Sequence, residues 1–377
     1  MKKSARPRIG MLGLYGMPLP QLHFTGFETA FGEIAPRLVE AGYDVTIYCR
    51  ASHYPKELRV DEHKGVKLKY VPSPGGKNLS GLAATTFATL HTLTIGRYDL
   101  LFFVNVGMGH HAALCRILGG KVVMNVDGLD WMRAKWGPLA RLYFRTAARS
   151  AIRFCNRLIT DAEAMRRIYL EEFHKATTMI AYGAYVESSQ NPAAVRQFGV
   201  EPDEYYLIAS RLIPENHADL IMRAFLECGT RKKLLIAGGA NYDSPFHREL
   251  RAMATDNVIF TGHIHDQSLI KELHCNCFAY VHGHSVGGTN PSLLKAMGYG
   301  NCILALDTVF NREVLADTGL FFSKDPRDLA RLMGRVESEP ELVDDLRAKA
   351  PRRVQREYSW DRIGEQYDQL FREVLAE

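Results

Sequence analysis

Apolar positions along the chain come in short, β-branched runs separated by stretches with helical spacing, and the alternation runs through both halves. In the first half the runs predict strands at 9–14, 45–49, 66–71, 100–104, 122–126 and 158–160. In the second half they predict strands at 205–209, 234–237, 258–260, 278–281 and 302–306. A helix is predicted from Phe27 to Gly42, with the glycine as its stop. Strands that alternate with helices build parallel sheets through right-handed crossovers. The expected fold class is therefore α/β, with two doubly wound Rossmann-like domains facing a central cleft. Residues 182–202, richer in polar and small residues, read as the linker.

Composition narrows the class without changing the fold. A chain of 377 residues has room for two domains, and 46% apolar with 24% charged residues is ordinary for a globular protein. Disordered, collagen-like and disulfide-scaffold classes are excluded. No apolar run approaches the roughly 18 residues of a membrane-crossing helix. Residues 1–8 are basic, but Gly10, Gly13 and Gly16 break the apolar stretch behind them, which reads as strand and turn rather than signal peptide. Seven cysteines without a Cys-x-x-Cys pair are expected to be reduced thiols in a cytoplasmic protein. The charge is uneven. Residues 1–185 hold 25 Lys and Arg against 14 Asp and Glu, a net +11, and the remainder holds 22 against 28, a net −6. Such a split points to halves that face different partners.

Strand ends are where such sheets bind ligands. A dinucleotide site fits poorly, because the first turn is Gly10-x-x-Gly13-x-x-Gly16 and the second strand ends on Cys49-Arg50 without a carboxylate for a ribose. Arg50 keeps a 2′-phosphate, hence NADP, open. The strongest local signal is His282-Gly-His284-Ser-Val-Gly287-Gly288-Thr289-Asn290-Pro291, a strand running into two glycines and a helix start. Glycines let backbone approach a ligand, and the free N–H groups of a helix start suit phosphate. Thr289 or Asn290 can cap that helix. The second signal is Ala209-Ser210-Arg211 followed by Pro214-Glu215-Asn216-His217, where an arginine leaving a strand end is shaped for a diphosphate. A capped turn and a surface ion pair are the plain alternatives for the two. His282 and His284 with Cys275 and Cys277 match no standard zinc set, so no metal is expected and the histidines read as satisfied core residues, with His284 facing the donor side.

Together these motifs resemble a family-4 glycosyltransferase of the GT-B type over nearly the full length. Gly13-Leu-Tyr-Gly16-Met-Pro with Thr25-Gly26-Phe27-Glu28-Thr29, Asn125-Val-Asp127-Gly128-Leu-Asp130-Trp131, Lys135-Trp136 and Gly287-Gly288-Thr289-Asn290-Pro291 resemble a bacterial rhamnosyltransferase-like subgroup. The Tyr358-Ser-Trp360, Tyr367, Leu370 pattern is similar to a closing helix that crosses back to the first domain. The resemblance implies an acceptor-binding domain at 1–185, a donor-binding domain at 186–355 and that closing helix at 356–377. It further implies a nucleotide-sugar donor, retention of anomeric configuration and no metal or other cofactor. The donor diphosphate would lie between Arg211, the Gly287–Asn290 turn and the backbone of Gly16 or Gly26. His263 and Ile264 match the loop that meets the nucleotide base.

Three positions depart from the broad family: Asn216 replaces a Lys, Lys295 replaces the Glu that holds the ribose, and Thr25 replaces a Gly. Lys295 is expected to supply the diphosphate charge that Asn216 cannot. A deoxyribose donor would have less use for the missing Glu, so dTDP-rhamnose is the first expectation for the donor, with a UDP-linked sugar beside it. Asp127, at a strand end where the family commonly has His, is the candidate to orient the acceptor hydroxyl, with Glu28 and Asp130 second at the acceptor. A helix cap is the alternative for Asp127.

Residues 131–157 carry Arg133, Lys135, Arg141, Arg145, Arg149, Arg153 and Arg157 and no acid, with Trp131, Trp136, Tyr143, Phe144 and Phe154 interleaved. The last five cations recur every fourth residue, one drifting helical stripe. Such a helix suits an anionic membrane surface at the inner face and a lipid-linked saccharide acceptor in surface-polysaccharide assembly, or simply a solvated face. No nucleic-acid reader motif accompanies it. The expected function is sugar transfer; a GT-B nucleotide-sugar epimerase and a non-catalytic sugar-nucleotide binding subunit stay open beside it.

Overall fold

The computed structural model describes residues 6–22, 24, 26–74, 76, 79–128, 131, 136–239 and 244–377. The chain divides into two compact units, Met1–Tyr182 with Trp360–Glu377, and Gly183–Ser359.

In the first unit the described strands are β1 (Arg8–Leu12), β2 (Asp44–Arg50), β3 (Glu62–His63), β4 (Val66–Val71), β5 (Leu100–Val104), β6 (Val122–Asn125), β7 (Arg157–Thr160) and β8 (Thr178–Met179). They lie in the order β3-β4-β2-β1-β5-β6-β7-β8, parallel except at the β3/β4 edge. The helices between them are α1 (Gly26–Glu40), α2 (Ser80–Thr94), α3 (Gly109–Ile117), α4 (Pro138–Phe154) and α5 (Glu163–Phe173). β1 ends two residues earlier than its apolar run, because Gly13 turns to φ +96 and a side chain there would meet the Val104 carbonyl at 2.3 Å. Strands β3 and β8 are two residues each, too short to show an alternating pattern.

In the second unit the strands are β9 (Tyr205–Ala209), β10 (Lys233–Ala237), β11 (Val258–Gly262), β12 (Ala279–His282), β13 (Ile303–Leu306) and β14 (Leu320–Phe322), in the order β11-β10-β9-β12-β13-β14 and all parallel. Its helices are α6 (Ala218–Cys228), α7 (Pro245–Ala252), α8 (Gln267–Cys275), α9 (Pro291–Gly298), α10 (Val309–Leu315), α11 (Pro326–Ser338) and α12 (Pro340–Glu357). One core of buried Tyr206, Ile208, Ile221, Ile236, Val281, Leu304 and their neighbours binds sheet to helices. The segment expected as linker is built into this unit. Pro192–Phe198 forms a short 3₁₀ helix, and the Glu272 carboxylate of α8 accepts from Ser189 Oγ and the Gln190 N–H.

The last helix, α13 (Trp360–Ala376), returns to the first unit. Tyr367 packs edge-on against Phe31 of α1, Phe371 packs on Phe102 of β5, and Asp361 pairs with Arg37 at 3.0 Å. Arg157 departs from the expected stripe. It lies in β7, not on the helix, and pairs with Glu377 at the chain end. The helix stops at Phe154 because Cys155 is extended, which turns the chain into the strand.

Candidate functional site

Strand order reverses twice, between β1 and β5 in the first sheet and between β9 and β12 in the second. Loops that leave such neighbours diverge, which opens a crevice beyond the strand ends. Gly16 lies on the loop after β1, Arg211 and Asn216 on that after β9, and His284 with Gly287–Asn290 on that after β12. Asp127 follows β6, His263 and Ile264 follow β11, and Lys295 lies in α9.

In the second unit, Arg211 follows β9 and is exposed. Asn216 is 5% exposed, and its Nδ2 donates to the Arg211 carbonyl at 2.8 Å. Its amide therefore shapes the loop under Arg211 instead of replacing the absent cation. His217, left-handed at φ +50, begins α6 and donates from Nδ1 to the Gly283 carbonyl at 2.9 Å. Ser285 donates from its N–H and its Oγ to the Glu215 carbonyl. A Cβ on Gly283 would stand 2.3 Å from the Asn216 carbonyl, so the two loops touch backbone to backbone. From the other side, Asn311 Nδ2 donates to the His284 carbonyl at 3.1 Å. Asn311 was not singled out in the sequence, and His217, Gly283 and Ser285 entered only as members of the two motifs, without a role. They do their work through main-chain contacts that residue type alone does not announce.

The Gly287–Asn290 turn is thus held at both ends. Gly287 sits at φ +132 with nothing within 4 Å of where a Cβ would be. Gly288 and Thr289 are buried, and Asn290 caps α9 by accepting from the Ser292 N–H at 3.0 Å. The open backbone at Gly287 can receive an oxyanion. The first turn of α9 adds no free N–H, because Pro291 has none and those of Ser292, Leu293 and Leu294 already bond to Asn290.

Below the turn the two histidines differ from the expected satisfied pair. Their rings stack at 4.3 Å and 11°, and neither His282 Nε2 nor His284 Nδ1 has a hydrogen-bond partner. Burial, then the nearby Arg211 and His217, pushes the His284 pKa down to about 3; burial and His284 hold His282 well below the ordinary range. Both rings are neutral at physiological pH, and Arg211 stands exposed above them.

His263 and Ile264 follow β11, next to Gly262 at φ +71; His263 is exposed and packs edge-on against His265 at 4.5 Å. Lys295, within α9, reaches Gln267 Oε1 at 3.3 Å, at the end of that same loop. Burial lowers its pKa, and Glu187 opposes the shift.

In the first unit Gly16, at φ +146, has the Tyr54 hydroxyl 2.3 Å from where a Cβ would be. Glu28 is 3% exposed and accepts the Tyr15 N–H at 2.9 Å, so its carboxylate pins the glycine-rich loop to α1, whose first residue is Gly26. Arg50, the residue that kept NADP open, is 9% exposed with its guanidinium 3.9 Å from the centre of the Tyr15 ring. It is covered, not offered to a ribose phosphate. Asp127, just past β6, accepts from the Tyr182 hydroxyl at 2.8 Å, and its own N–H donates to Asn125 Oδ1. Burial, and then Asp127, keep the Tyr182 pKa far above its ordinary value, so it is a permanent donor that fixes one carboxylate oxygen. Thr25, Asp130, Arg133 and Lys135 lie outside the described residues. Among the described residues, no three His, Cys, Asp or Glu side chains gather as a metal site.

Residues 192–353 match the family described as glycosyl transferases group 1. Residues 98–185 match a domain of unknown function, DUF1972. Solved structures match end to end at low identity. HepE from Anabaena, in complex with UDP, is 17% identical with a TM-score of 0.79, covering 97% of this chain and 100% of its own. Sucrose-phosphate synthase from Thermosynechococcus elongatus is 18% identical with a TM-score of 0.81, covering 98% and 100%. WaaG, a glycosyltransferase involved in lipopolysaccharide biosynthesis, is 16% identical with a TM-score of 0.71, covering 96% and 99%.

The fold is GT-B. The group 1 glycosyl transferase match falls in its second unit, and Arg211, Gly287 and α9 lie within the matched stretch.

Proposed function

We propose that this GT-B protein transfers a sugar from a nucleoside-diphosphate donor, held by the group 1 domain, to a saccharide hydroxyl met by the first unit. The observation that carries the reading is the pair of loops after β9 and β12. Two main-chain surfaces are locked together by His217 and Ser285, presenting one exposed arginine beside an open glycine turn and a capped helix start. That arrangement neutralises a diphosphate through one cation and the open backbone of the glycine turn, without a metal. HepE, of the same fold, has been seen with UDP and with UDP-glucose.

In the transfer, the acceptor oxygen bonds to the anomeric carbon as the carbon–oxygen bond to the diphosphate breaks. The diphosphate leaves with the electron pair, and the acceptor proton passes to its oxygen. Retention of configuration, a dTDP- or UDP-linked donor, L-rhamnose as the first candidate sugar and a lipid-linked saccharide as acceptor are part of the proposal. Lys295 belongs to it as a donor contact on the His263–Ile264 side. Asp127, fixed by Tyr182, would orient the acceptor hydroxyl.

Calorimetric titration with dTDP, UDP and GDP, each with EDTA present, tests the donor site. One of them is expected to bind, and Arg211→Ala to weaken it about 10- to 100-fold without a change in melting temperature, since a charged hydrogen-bonding partner is worth roughly 1.5–3 kcal/mol. Binding of none of the three, or an unaltered affinity in the variant, would defeat the reading. Turnover with and without acceptor separates transfer from epimerisation and from binding alone. Asp127→Asn is expected to lower kcat about 10- to 100-fold and leave nucleotide affinity untouched, because it weakens one hydrogen bond to the acceptor. A kcat equal to wild type would remove Asp127 from the acceptor site.

A further inference from the structure

Helices α2, α3 and α4 follow crossovers of one hand and lie side by side over the same face of the first sheet, opposite α1. None of the three contains an Asp or a Glu. Each exposes large apolar side chains: Phe87 and Leu90 on α2, Leu114 and Ile117 on α3, Leu139 and Leu142 on α4, with Leu139 84% exposed, among the exposed polar Thr86, Thr94 and His110. Leu142 stands among Arg145, Arg149 and Arg153, three exposed cations one turn apart on the outer face of α4, whose inner face buries Ala147, Ala148 and Ala151.

These arginines are handled unlike those on most other helices of the protein. Arg37, Arg166 and Arg335 pair with carboxylates three or four residues away. Arg145, Arg149 and Arg153 take part in none of the ion pairs among the described residues, and like charges one turn apart repel each other. The three helices carry no acid of their own, and Glu172 of α5 lines a small cavity with Arg141 and Arg145 only at the edge of the layer. Arg149, Arg153 and the apolar positions are matched by a surface that is both anionic and hydrocarbon-backed. A protein partner would have to supply acids at one edge and apolar side chains across the rest.

We propose that the outer face of α2, α3 and α4 is a docking surface for an anionic lipid bilayer. Leu, Ile and Phe side chains enter the acyl boundary while the α4 arginines stay among the headgroups. The contact is interfacial, since no helix among the described residues is long and apolar enough to cross a membrane. The sequence stripe pointed to one helix with its aromatic residues. The surface is instead three helices wide: Trp131 is buried, Tyr143 and Phe144 are half-buried, and α2 and α3 contribute apolar positions that no charge pattern marked. The inference deepens the reading of a lipid-borne acceptor and rests on it only for its purpose, because the surface stands on its own residues.

The test is sedimentation of the full chain with vesicles of phosphatidylcholine alone and of phosphatidylcholine mixed with phosphatidylglycerol. Binding is expected only to the anionic vesicles, weakening as salt rises. The triple variant Arg145→Glu, Arg149→Glu, Arg153→Glu is expected to lose about a hundredfold in partitioning, and Leu139→Ser with Leu142→Ser to bind more weakly at every salt concentration. No binding to anionic vesicles, or equal binding by wild type and the triple variant, overturns the proposal. So does a stable dimer that Leu114→Arg dissociates, which would assign the face to a second copy. Nucleotide affinity read on the same samples keeps the two proposals apart. Intact vesicle binding without nucleotide binding defeats the transferase reading alone, and the reverse defeats the membrane surface alone.

Discussion

Lowering the pH from 7 to 5 is expected to destabilise the second unit by several kcal/mol, more than the first. His274 and His282 are 2% and 0% exposed. Burial, countered in part by the Asn301 hydrogen bond, pushes the His274 pKa down to about 4; burial and His284 hold His282 well below its ordinary value. Each ring is neutral when folded and takes up a proton when unfolded at any pH below about 6.5. The stability associated with the neutral rings is therefore complete above that pH. It is lost as pH falls toward the folded-state values, at about 1.4 kcal/mol per pH unit for each histidine. Together the two make about 3 kcal/mol per unit, against a total of about 5–15 kcal/mol for an ordinary domain, and His284 acts in the same direction. All three tryptophans, Trp131, Trp136 and Trp360, belong to the first unit, so fluorescence follows that unit and circular dichroism follows both. Urea titrations at successive pH values should show the dichroism midpoint falling ahead of the fluorescence midpoint. Midpoints that hold level between pH 7 and pH 5 would contradict the account.

The second large effect is expected from a single methyl group. In Gly283→Ala the new Cβ would lie 2.3 Å from the Asn216 carbonyl and 3.0 Å from Ile221 Cδ1. The side chain of Ile221 can move. The Asn216 carbonyl cannot do so cheaply, because the Asn216 N–H is bonded to Ile213 and its amide to Arg211. The loops must part, which strains the His217–Gly283 and Ser285–Glu215 hydrogen bonds. Overpacking of about 1–3 kcal/mol and three weakened bonds at about 0.5 kcal/mol each amount to about 3–4 kcal/mol. In a unit of this size that lowers the melting temperature by about 10 °C. Nucleotide affinity should fall by at least about tenfold in the same variant, since the cradle is made by the contact that is broken. Gly334→Ala, in α11 with nothing within 4 Å, serves as the control and should be neutral or slightly stabilising. A Gly283→Ala protein that melts like wild type would mean the two loops are not held together as described.

Sequence alone determined the larger frame. Periodicity marked the strands and the first helix, and two runs of strand and helix can be satisfied only by two doubly wound sheets. Arg211, Gly287, Gly288 and Asn290 could be singled out because charge, conformational freedom and helix capping are properties of the residue type, and local spacing put them at strand ends. The closing helix was legible only through the resemblance of the Tyr358-Ser-Trp360, Tyr367, Leu370 pattern to the last helix of GT-B enzymes.

Tertiary structure decided what each residue spends its polar atoms on. Asn216 and Glu28 looked like ligand contacts, yet each is buried and holds its own loop, and Arg50 is stacked away under Tyr15. Arg157 kept the four-residue spacing of the stripe but fell into a strand, because spacing cannot show where a helix stops. His217, Gly283, Ser285 and Asn311 hold the loops after β9 and β12 in place through backbone carbonyls far away in sequence, and any residue supplies a carbonyl. The acid-free layer of α2, α3 and α4 exists only once three separate helices share a face. Composition and period fix which elements form, while the partners of a buried polar atom are fixed by distances that only the folded chain creates.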